Sequence, residues 1–219
     1  MPVKVDKVQS SDVGEIRIDA EVSALGSRYG RAILARVRDF ATLVSLKRIL
    51  SDVGVVEVSL QYVGGFNMLL VFENDCLVGD FLSRDKDWKV WFSHADVWTG
   101  QVFAFERVAW VHVFGVPLHL FCDKVISAIC SRFGSVVKFP QVTEDEGDLS
   151  SVCVGVLVGD GKRISEEVVL NWQDKRYRVW VSKELGDWVP ECLVEDEDSV
   201  SSDDVVSIFG TGVMSSELN

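Results

Sequence analysis

The sequence predicts an α+β fold, and three observations carry that prediction. Runs typical of β-strands alternate with runs at helical spacing between residues 29 and 106, in the order strand, helix, strand, strand, helix, strand. A second group of such runs, which begins in the order β-α-β-β-β and ends with one more strand, occupies residues 107–190. Residues 191–219 contain eight acidic residues and no basic one, a composition typical of a disordered tail.

The first predicted unit, residues 29–106, has the element order of the split βαβ plait, the arrangement called ferredoxin-like or RRM-like. Residues 1–28 lack these patterns and are predicted to be a weakly ordered leader. Within the unit we predict strands at 32–38, 55–63, 66–72 and near 97–105, helices at 41–53 and 76–88, and a turn at 64–65. Because this fold hosts many unrelated functions, it indicates none by itself.

The second predicted unit, residues 107–190, is expected to pack on the first as one body. Four tryptophans fall within 23 residues at the junction, and such aromatic density favours a shared core. They are Trp88, Trp91, Trp98 and Trp110. The unit's predicted elements are strands at 108–114, 136–139, 152–158, 164–172 and 176–181, a helix at 119–133, a loop at 141–151 and turns at 159–161 and 173–175.

The composition predicts a folded intracellular protein; we expect it in the nucleus or the cytoplasm, with the nucleus slightly favoured. The chain is 47% hydrophobic and 10% aromatic, so it has enough apolar surface for a core. No apolar run reaches the roughly 18 residues of a membrane span, and the N-terminal residues do not resemble a secretory signal. The five cysteines form no C-x-x-C pair, so we expect buried reduced thiols. We expect no metal site, cofactor, small-molecule substrate or membrane partner.

The residue types needed for catalysis are sparse and scattered. The only histidines are His94, His112 and His119; His112 lies within an apolar predicted strand, and the other two lie next to predicted loops. The stretch 159–162 lacks the upstream glycine that the P-loop motif has at a fixed spacing, and Arg163 stands where that motif has Ser or Thr. We therefore predict a protein that is not an enzyme.

The charge is distributed unevenly along the chain. The net charge is −12, yet residues 1–48 contain nine basic and six acidic residues. RNA-binding plaits stack bases on aromatic side chains of two central strands, but the predicted strand at 32–38 has no aromatic residue, and Asn67 and Leu69 occupy the other. The remaining candidates are basic side chains that would contact phosphates: Arg28, Arg31, Arg36, Arg38, Lys47, Arg48, Lys175, Arg176 and Arg178. An ordinary solvated charged surface is the alternative interpretation.

The run Trp88…Trp98…Glu106-Arg107…Trp110-Val111…Gly115-Val116-Pro117-Leu118-His119 resembles the plant domain of unknown function 4283. That family occurs in the first-open-reading-frame-like portion of plant LINE retrotransposons and in host genes derived from them. The segment 62–65 resembles the family's turn, and 162–181 its late hairpin, so the resemblance covers about residues 31–193. The sequence departs from the pattern at Phe121-Cys122, where a second tryptophan is common, and no zinc knuckle follows Val181.

The resemblance implies a nucleic-acid-associated module derived from a retrotransposon, with RNA a better candidate partner than DNA. Together with the basic side chains, it predicts weak, sequence-independent binding of RNA or single-stranded DNA. A protein–protein or self-association module is the alternative, because Leu60, Leu69 and Val71 give the first sheet an apolar face. A degenerate copy without a selected function is a further alternative.

Overall fold

The structure, a computed structural model, describes residues 15–17, 25–139, 149–159, 161, 163–186 and 188–193. These residues form an α+β protein with two antiparallel sheets, one of four strands and one of five. The α+β class predicted from the sequence is therefore confirmed. Among the described residues, no helix is long and apolar enough to cross a bilayer. The predicted tail lies outside the described residues from 194 onward.

The first sheet has the strand order β2-β3-β1-β4, and every neighbouring pair is antiparallel. A short 3₁₀ helix at Gly26–Arg28 precedes it. The elements are β1 (Ala32–Val37), α1 (Phe40–Val44), α2 (Leu46–Asp52), β2 (Val58–Gly64), β3 (Asn67–Phe72), α3 (Asp75–Ser83), α4 (Asp85–Trp88) and β4 (Phe92–Val97). Each predicted helix of this unit is thus two shorter helices, divided at Ser45 and at Arg84.

The last strand of the first unit lies earlier than predicted. The prediction of a strand near 97–105 is wrong, because β4 ends at Val97 and residues 98–106 form no helix or strand. Phe92 is fully buried and Ala95 pairs with Ala35 of β1, so this segment provides both the packing and the backbone partners of an edge strand. Val102 is 97% exposed, which means that the apolar residues after β4 misled the sequence prediction.

Both faces of the central strand β1 are buried. On one face, Ile33, Ala35 and Val37 join the core formed with the helices. On the other face, Ala32 and Leu34 form a smaller apolar cluster with Leu69, onto which Trp98 packs. The ring of Tyr29 lies 4.9 Å from that of Trp98. The face on which an RNA-binding plait would stack bases is therefore covered by protein at its centre.

The second sheet has the strand order β6-β7-β5-β9-β8. Its elements are β5 (Arg107–Phe114), a 3₁₀ helix (Leu118–Leu120), α5 (Asp123–Cys130), β6 (Ser135–Lys138), β7 (Ser151–Val158), β8 (Ser165–Trp172), β9 (Lys175–Lys183) and a 3₁₀ helix (Glu191–Leu193). The order β6-β7-β5-β9 repeats the order β2-β3-β1-β4 of the first sheet. The chain between β7 and β9 forms the edge strand β8, where the first unit has helices.

Two predictions for the second unit and one for the tail need correction. The predicted helix at 119–133 is shorter, because the chain leaves the 3₁₀ helix at Phe121 and α5 occupies only Asp123–Cys130. The segment 159–161 is not a hairpin turn, since β5 and β9 separate β7 from β8. Of the predicted loop at 141–151, residues 141–148 lie outside the described residues. Glu191–Leu193, predicted to belong to the tail, form a helix whose Cys192 is buried in the first unit's core.

The turn between β8 and β9 is where the sequence predicts it. Gln173 and Asp174 have φ values of 47° and 61°, so this two-residue connection has the left-handed backbone of a type I′ hairpin turn. Such a turn fixes the register of the two strands, which pair from Trp172↔Lys175 to Ser165↔Ser182. The side chains of β9 are therefore directed to defined faces of the sheet.

The two units pack against each other through aromatic side chains. The rings of Phe40 and Trp110 are 6.0 Å apart in an edge-on contact. Trp188 lies 5.3 Å from Phe40 and 6.1 Å from Tyr62. Trp110 is the member of the predicted tryptophan group in this contact, whereas Trp88 stacks on Phe81 inside the first unit.

Replacing Asn74 with alanine tests how α3 begins. The Asn74 side-chain oxygen accepts a hydrogen bond from the backbone N–H of Leu77 at 3.1 Å. Losing this cap leaves one of the helix's first donors without its partner, so we expect Asn74→Ala to lower the free energy of unfolding by about 1 kcal/mol in a urea titration. Asn74→Asp keeps the acceptor at the helix N-terminus and is expected to retain the stability. A full loss in Asn74→Asp would contradict this assignment.

Candidate nucleic-acid interface

Two of the basic residues predicted to bind nucleic acid hold the start of the first unit in place. The Arg28 guanidinium donates to the side-chain oxygen of Gln61 on β2. The Nε of Arg31 donates to the backbone oxygen of Ser27 at 2.8 Å. Both guanidinium groups are therefore engaged by the protein's own oxygen atoms.

Arg36 has an internal partner of opposite charge. Its guanidinium forms an ion pair with Glu106, and the two side chains are 33% and 20% exposed. A second hydrogen bond runs from Arg36 Nη2 to Glu106 Oε1 at 3.2 Å, so the pair is bidentate. Fork-like pairing of this kind is among the stronger charge-assisted contacts in proteins. We therefore do not place Arg36 in the nucleic-acid interface.

Glu106 also explains the two glycines of the turn between β2 and β3. A Cβ at Gly64 would lie 2.5 Å from the Glu106 backbone oxygen, and one at Gly65 would overlap the Glu106 side chain. Both glycines have positive φ values, 117° and 57°. The turn at 62–65 and the Glu106-Arg107 pair are separate parts of the family-like pattern in the sequence, and they are in direct contact in the structure.

The remaining basic residues of the first unit lie elsewhere. Arg38 follows β1, and its Nε donates to the backbone oxygen of Lys89 at 2.8 Å. Lys47 and Arg48 are exposed on α2, which belongs to the helical layer, whereas Arg36 is on the opposite side of the sheet. The basic residues between 28 and 48 therefore do not share one surface.

The second sheet brings arginine and aromatic side chains together. Register pairs Phe114 with Trp180 across β5 and β9, and Val169 with Arg178 across β8 and β9. Arg176, two residues before Arg178, has the same orientation. We call the surface formed by Phe114, Val169, Arg176, Arg178 and Trp180 the Trp180 face. Trp180 is 50% exposed and Phe114 is 38% exposed, and α5 packs on the other side of the sheet.

The predicted residues of the late hairpin divide between the two sides of the second sheet. Arg176 and Arg178 lie on the Trp180 face, whereas Lys175 pairs with Trp172 on the opposite side. There the Trp172 ring is 5.0 Å from the ring of His119. Arg178 forms an ion pair with Glu167 at 3.4 Å, in which the side chains are 71% and 41% exposed. An exposed pair of this kind is weak, so it leaves the guanidinium available to a phosphate.

Gly115 gives the Trp180 ring its place on the sheet. Gly115 has φ +76°, and a Cβ there would be 3.1 Å from a carbon of the Trp180 ring. The glycine thus allows both the left-handed turn after β5 and the close approach of the indole. Gly115 therefore supports the Trp180 ring and also turns the chain after β5.

Trp180 and Phe114 are the site residues that sequence reasoning missed. One signal is present in the sequence: Arg176, Arg178 and Trp180 alternate with Tyr177, Val179 and Val181, which predicts one polar and one apolar face. Phe114 carries no such signal. Its position beside Trp180 depends on the pairing of β5 with β9, which joins residues 66 positions apart.

A group of potential metal ligands lies next to the Trp180 face. His112, Cys153 and Glu184 each present one ligand atom, and these atoms lie within 4.8 Å of one another. Burial raises the pKa of the Cys153 thiol, and the nearby Glu184 charge raises that pKa further. Sequence spacing could not have indicated this group, because its members are 41 and 31 positions apart.

The sequence predicts buried cysteines, and the structure confirms this for only some of them. Cys130 and Cys192 are buried, while Cys76 and Cys122 are exposed. Burial raises the pKa of the Cys130 thiol to about 11, so that thiol is protonated at neutral pH. All five cysteines are free thiols in the structure.

Comparison with known proteins adds no assignment to this geometry. No family model matches the chain, and neither a curated protein nor a solved structure matches it.

Proposed function

We propose that this chain is a non-enzymatic module that binds single-stranded nucleic acid, RNA in preference to DNA, through the Trp180 face. One observation carries the proposal: an exposed tryptophan and an exposed phenylalanine are direct cross-strand neighbours, beside two arginines on one open sheet surface. Aromatic rings stack on bases of any identity, and arginines contact phosphates. This combination suits single strands and does not require sequence readout.

Energetics favour a modest affinity. Base stacking contributes about 1–3 kcal/mol per base, so the two aromatic rings of this face supply only a small part of a tight interaction. The chain's net charge of −12 opposes the approach of a polyanion, although eight of its acidic residues lie in 191–219. Binding should therefore be weak and should depend strongly on salt.

For the fold, we propose that the first unit is a ferredoxin-like plait in which the protein's own side chains cover the face that usually binds bases. The order β2-β3-β1-β4 supports the plait, and the burial of Leu34 and Leu69 beneath Trp98 supports the covered face. In this proposal, single-stranded nucleic acid binds to the second sheet, whose strand order repeats that of the first.

We also propose that the chain belongs to the plant domain of unknown function 4283 family and is derived from a retrotransposon. Segments of the quoted motif support one another structurally: Glu106 lies over Gly64 and Gly65, and Gly115 lies beneath Trp180. A nucleic-acid partner is consistent with an intracellular site of action, and we favour the nucleus.

A fluorescence-anisotropy titration of the full chain with a short labelled single-stranded RNA tests the binding proposal. At low salt we expect saturable binding with a Kd of roughly tens of micromolar or tighter, and a linear fall of log K with log salt. Two phosphate contacts, from Arg176 and Arg178, predict a slope of about −1.4. The same titration with single-stranded DNA ranks the two nucleic acids. No anisotropy change over that concentration range would refute the proposal.

Self-association remains the second candidate, with a different surface from the one predicted. Leu69 is only 3% exposed, Val71 packs on the same small cluster and Leu60 packs on the helical side of the sheet, so these residues do not form the apolar face on which that prediction rests. The edge strand β8 instead presents Val169 and Trp172, which are 37% and 40% exposed. Light scattering across a range of protein concentrations separates the candidates, since pairing of β8 edges predicts dimers that Val169→Lys disrupts.

A further inference from the structure

We propose that His112, Cys153 and Glu184 form a binding site for a divalent transition-metal ion of the Zn²⁺ class. The three ligand atoms, an imidazole nitrogen, a thiol sulfur and a carboxylate oxygen, lie within 4.8 Å of one another. The inference rests on these residues and not on the proposed nucleic-acid binding.

Three neighbouring strands bring the ligands together. His112 is in the middle of β5 and pairs with Cys153 on β7 and with Ser182 on β9. Directly paired residues of adjacent antiparallel strands point to the same face, with Cβ atoms about 5 Å apart. Glu184 follows β9, and its backbone N–H donates to the Trp110 oxygen at 2.8 Å, which holds this residue beside β5. Ligands on paired strands are more precisely positioned than ligands on loops.

The distances are close to those of a coordinated ion. Zinc binds nitrogen and oxygen at about 2.0–2.2 Å and sulfur at about 2.3 Å, so tetrahedral ligand atoms are about 3.5 Å apart. Because the ligand atoms lie within 4.8 Å of one another, each pair has to approach by at most about 1.3 Å. Glu184 is exposed, so its side chain can rotate to provide this contraction.

The chemistry of the three ligands selects the class of metal. A thiolate and an imidazole favour Zn²⁺ and related ions, whereas Mg²⁺ and Ca²⁺ prefer oxygen ligands. Metal binding releases the Cys153 thiol proton to solvent, and the resulting thiolate and the carboxylate together balance the charge of a divalent ion. Three protein ligands leave a fourth position for water or another ligand.

The surroundings leave these ligand atoms available. Among the residues that the structure describes, none forms a hydrogen bond with the imidazole of His112, the thiol of Cys153 or the carboxylate of Glu184. The Phe114 ring lies 5.9 Å from the His112 ring at an interplanar angle of 18°, so it restricts the orientation of the imidazole. The site therefore has one ligand fixed by packing, one fixed by the sheet and one that adjusts.

Cobalt titration of the untagged full chain provides the test. The exposed thiols Cys76 and Cys122 are first replaced with serine, so that they cannot bind metal adventitiously. We expect one equivalent of Co²⁺ to produce a thiolate-to-cobalt charge-transfer band and the visible bands of a tetrahedral ion, and Zn²⁺ to displace it. Absence of the charge-transfer band would overturn the proposal.

Single substitutions in that background assign the ligands. We expect Cys153→Ser to abolish the charge-transfer band, and His112→Asn and Glu184→Gln to weaken Zn²⁺ binding by more than about tenfold, since losing even a ligand's supporting partner costs 10–100-fold. His94→Asn is the matched control, because His94 is exposed and paired with Asp96 away from the group. Far-ultraviolet circular dichroism checks that each variant is folded. If folded Cys153→Ser binds Zn²⁺ as tightly as its parent, the proposal is wrong.

Discussion

Replacing Gly134 with alanine is expected to destabilise the protein by about 2–4 kcal/mol, a large part of the total stability of about 5–15 kcal/mol typical of natural proteins. A Cβ at this position would overlap the backbone oxygen of Leu157, and it would lie 3.1 Å from a methyl group of Val156. Leu157 pairs with Ser135 on one side and with Val108 on the other. Its backbone therefore cannot move aside without breaking pairs between strands.

Gly79→Ala is the matched control for this prediction. Gly79 lies on the exposed side of α3, and a Cβ there would meet no atom within 4 Å. Alanine has a higher helix propensity than glycine, so we expect Gly79→Ala to stabilise the protein by about 0.5–1 kcal/mol. Urea unfolding of both variants measures the contrast. Equal stability of Gly134→Ala and the parent would mean that β7 does not lie where the structure has it.

Trp180→Ala is expected to weaken the binding of single-stranded RNA by about 5- to 150-fold, which corresponds to the 1–3 kcal/mol of stacking on one aromatic ring. The indole is half exposed on the open sheet surface, so its removal takes away a stacking partner without emptying the core. Arg178→Ala is expected to remove about one phosphate contact, so that log K falls less steeply with log salt. Anisotropy titrations at several salt concentrations measure both effects.

Two further variants separate stacking from structural damage. Trp172 is exposed to a similar extent, 40%, but lies on the other side of the second sheet against His119, so Trp172→Ala should leave binding unchanged. Trp180→Phe keeps an aromatic ring and should restore most of the affinity. Equal losses in Trp172→Ala and Trp180→Ala would mean that the Trp180 face is not the binding surface.

Much of the fold is predictable from the sequence because its central strands have strong patterns. The strand predicted at 108–114 is observed at Arg107–Phe114, and its apolar character on both faces reflects α5 on one side and the Phe40–Trp110 contact on the other. The sequence places the edge strand β4 too late, because Ser93, His94 and Asp96 are exposed and give the observed strand no apolar run. Edge strands lack one hydrogen-bonded neighbour, and natural proteins place charged side chains on them.

Breaks inside predicted helices had no comparable signal. Residues 41–53 keep apolar side chains at helical spacing, yet the chain divides into α1 and α2 at Ser45. The N-terminal end is better defined, because the Asp39 carboxylate accepts from the Thr42 N–H at 2.7 Å. Capping chemistry is local and can be recognised in a sequence, whereas a bend in mid-helix depends on what the helix packs against.

The candidate site was predicted only as individual residues. The sequence identifies Arg176 and Arg178 as basic residues of a hairpin, but Phe114, the cross-strand neighbour of Trp180 on the same face, comes from a strand far away in the chain. The sequence predicts that Arg36 faces a ligand, whereas its partner is Glu106, at the end of the connection between β4 and β5. Contacts between residues far apart in the sequence depend on strand register and on the path of the chain, and neither can be read from a short stretch of sequence.

The position of Glu106 has a consequence for dividing the molecule. A cut just before residue 106 would separate the Glu106 carboxylate from Arg36, and any cut between the units would separate Cys192 from the core that buries it. Either half expressed alone would then expose apolar surface and a charge deprived of its counter-ion. The protein should accordingly melt as one cooperative unit, and useful fragments will need to begin and end outside both sheets.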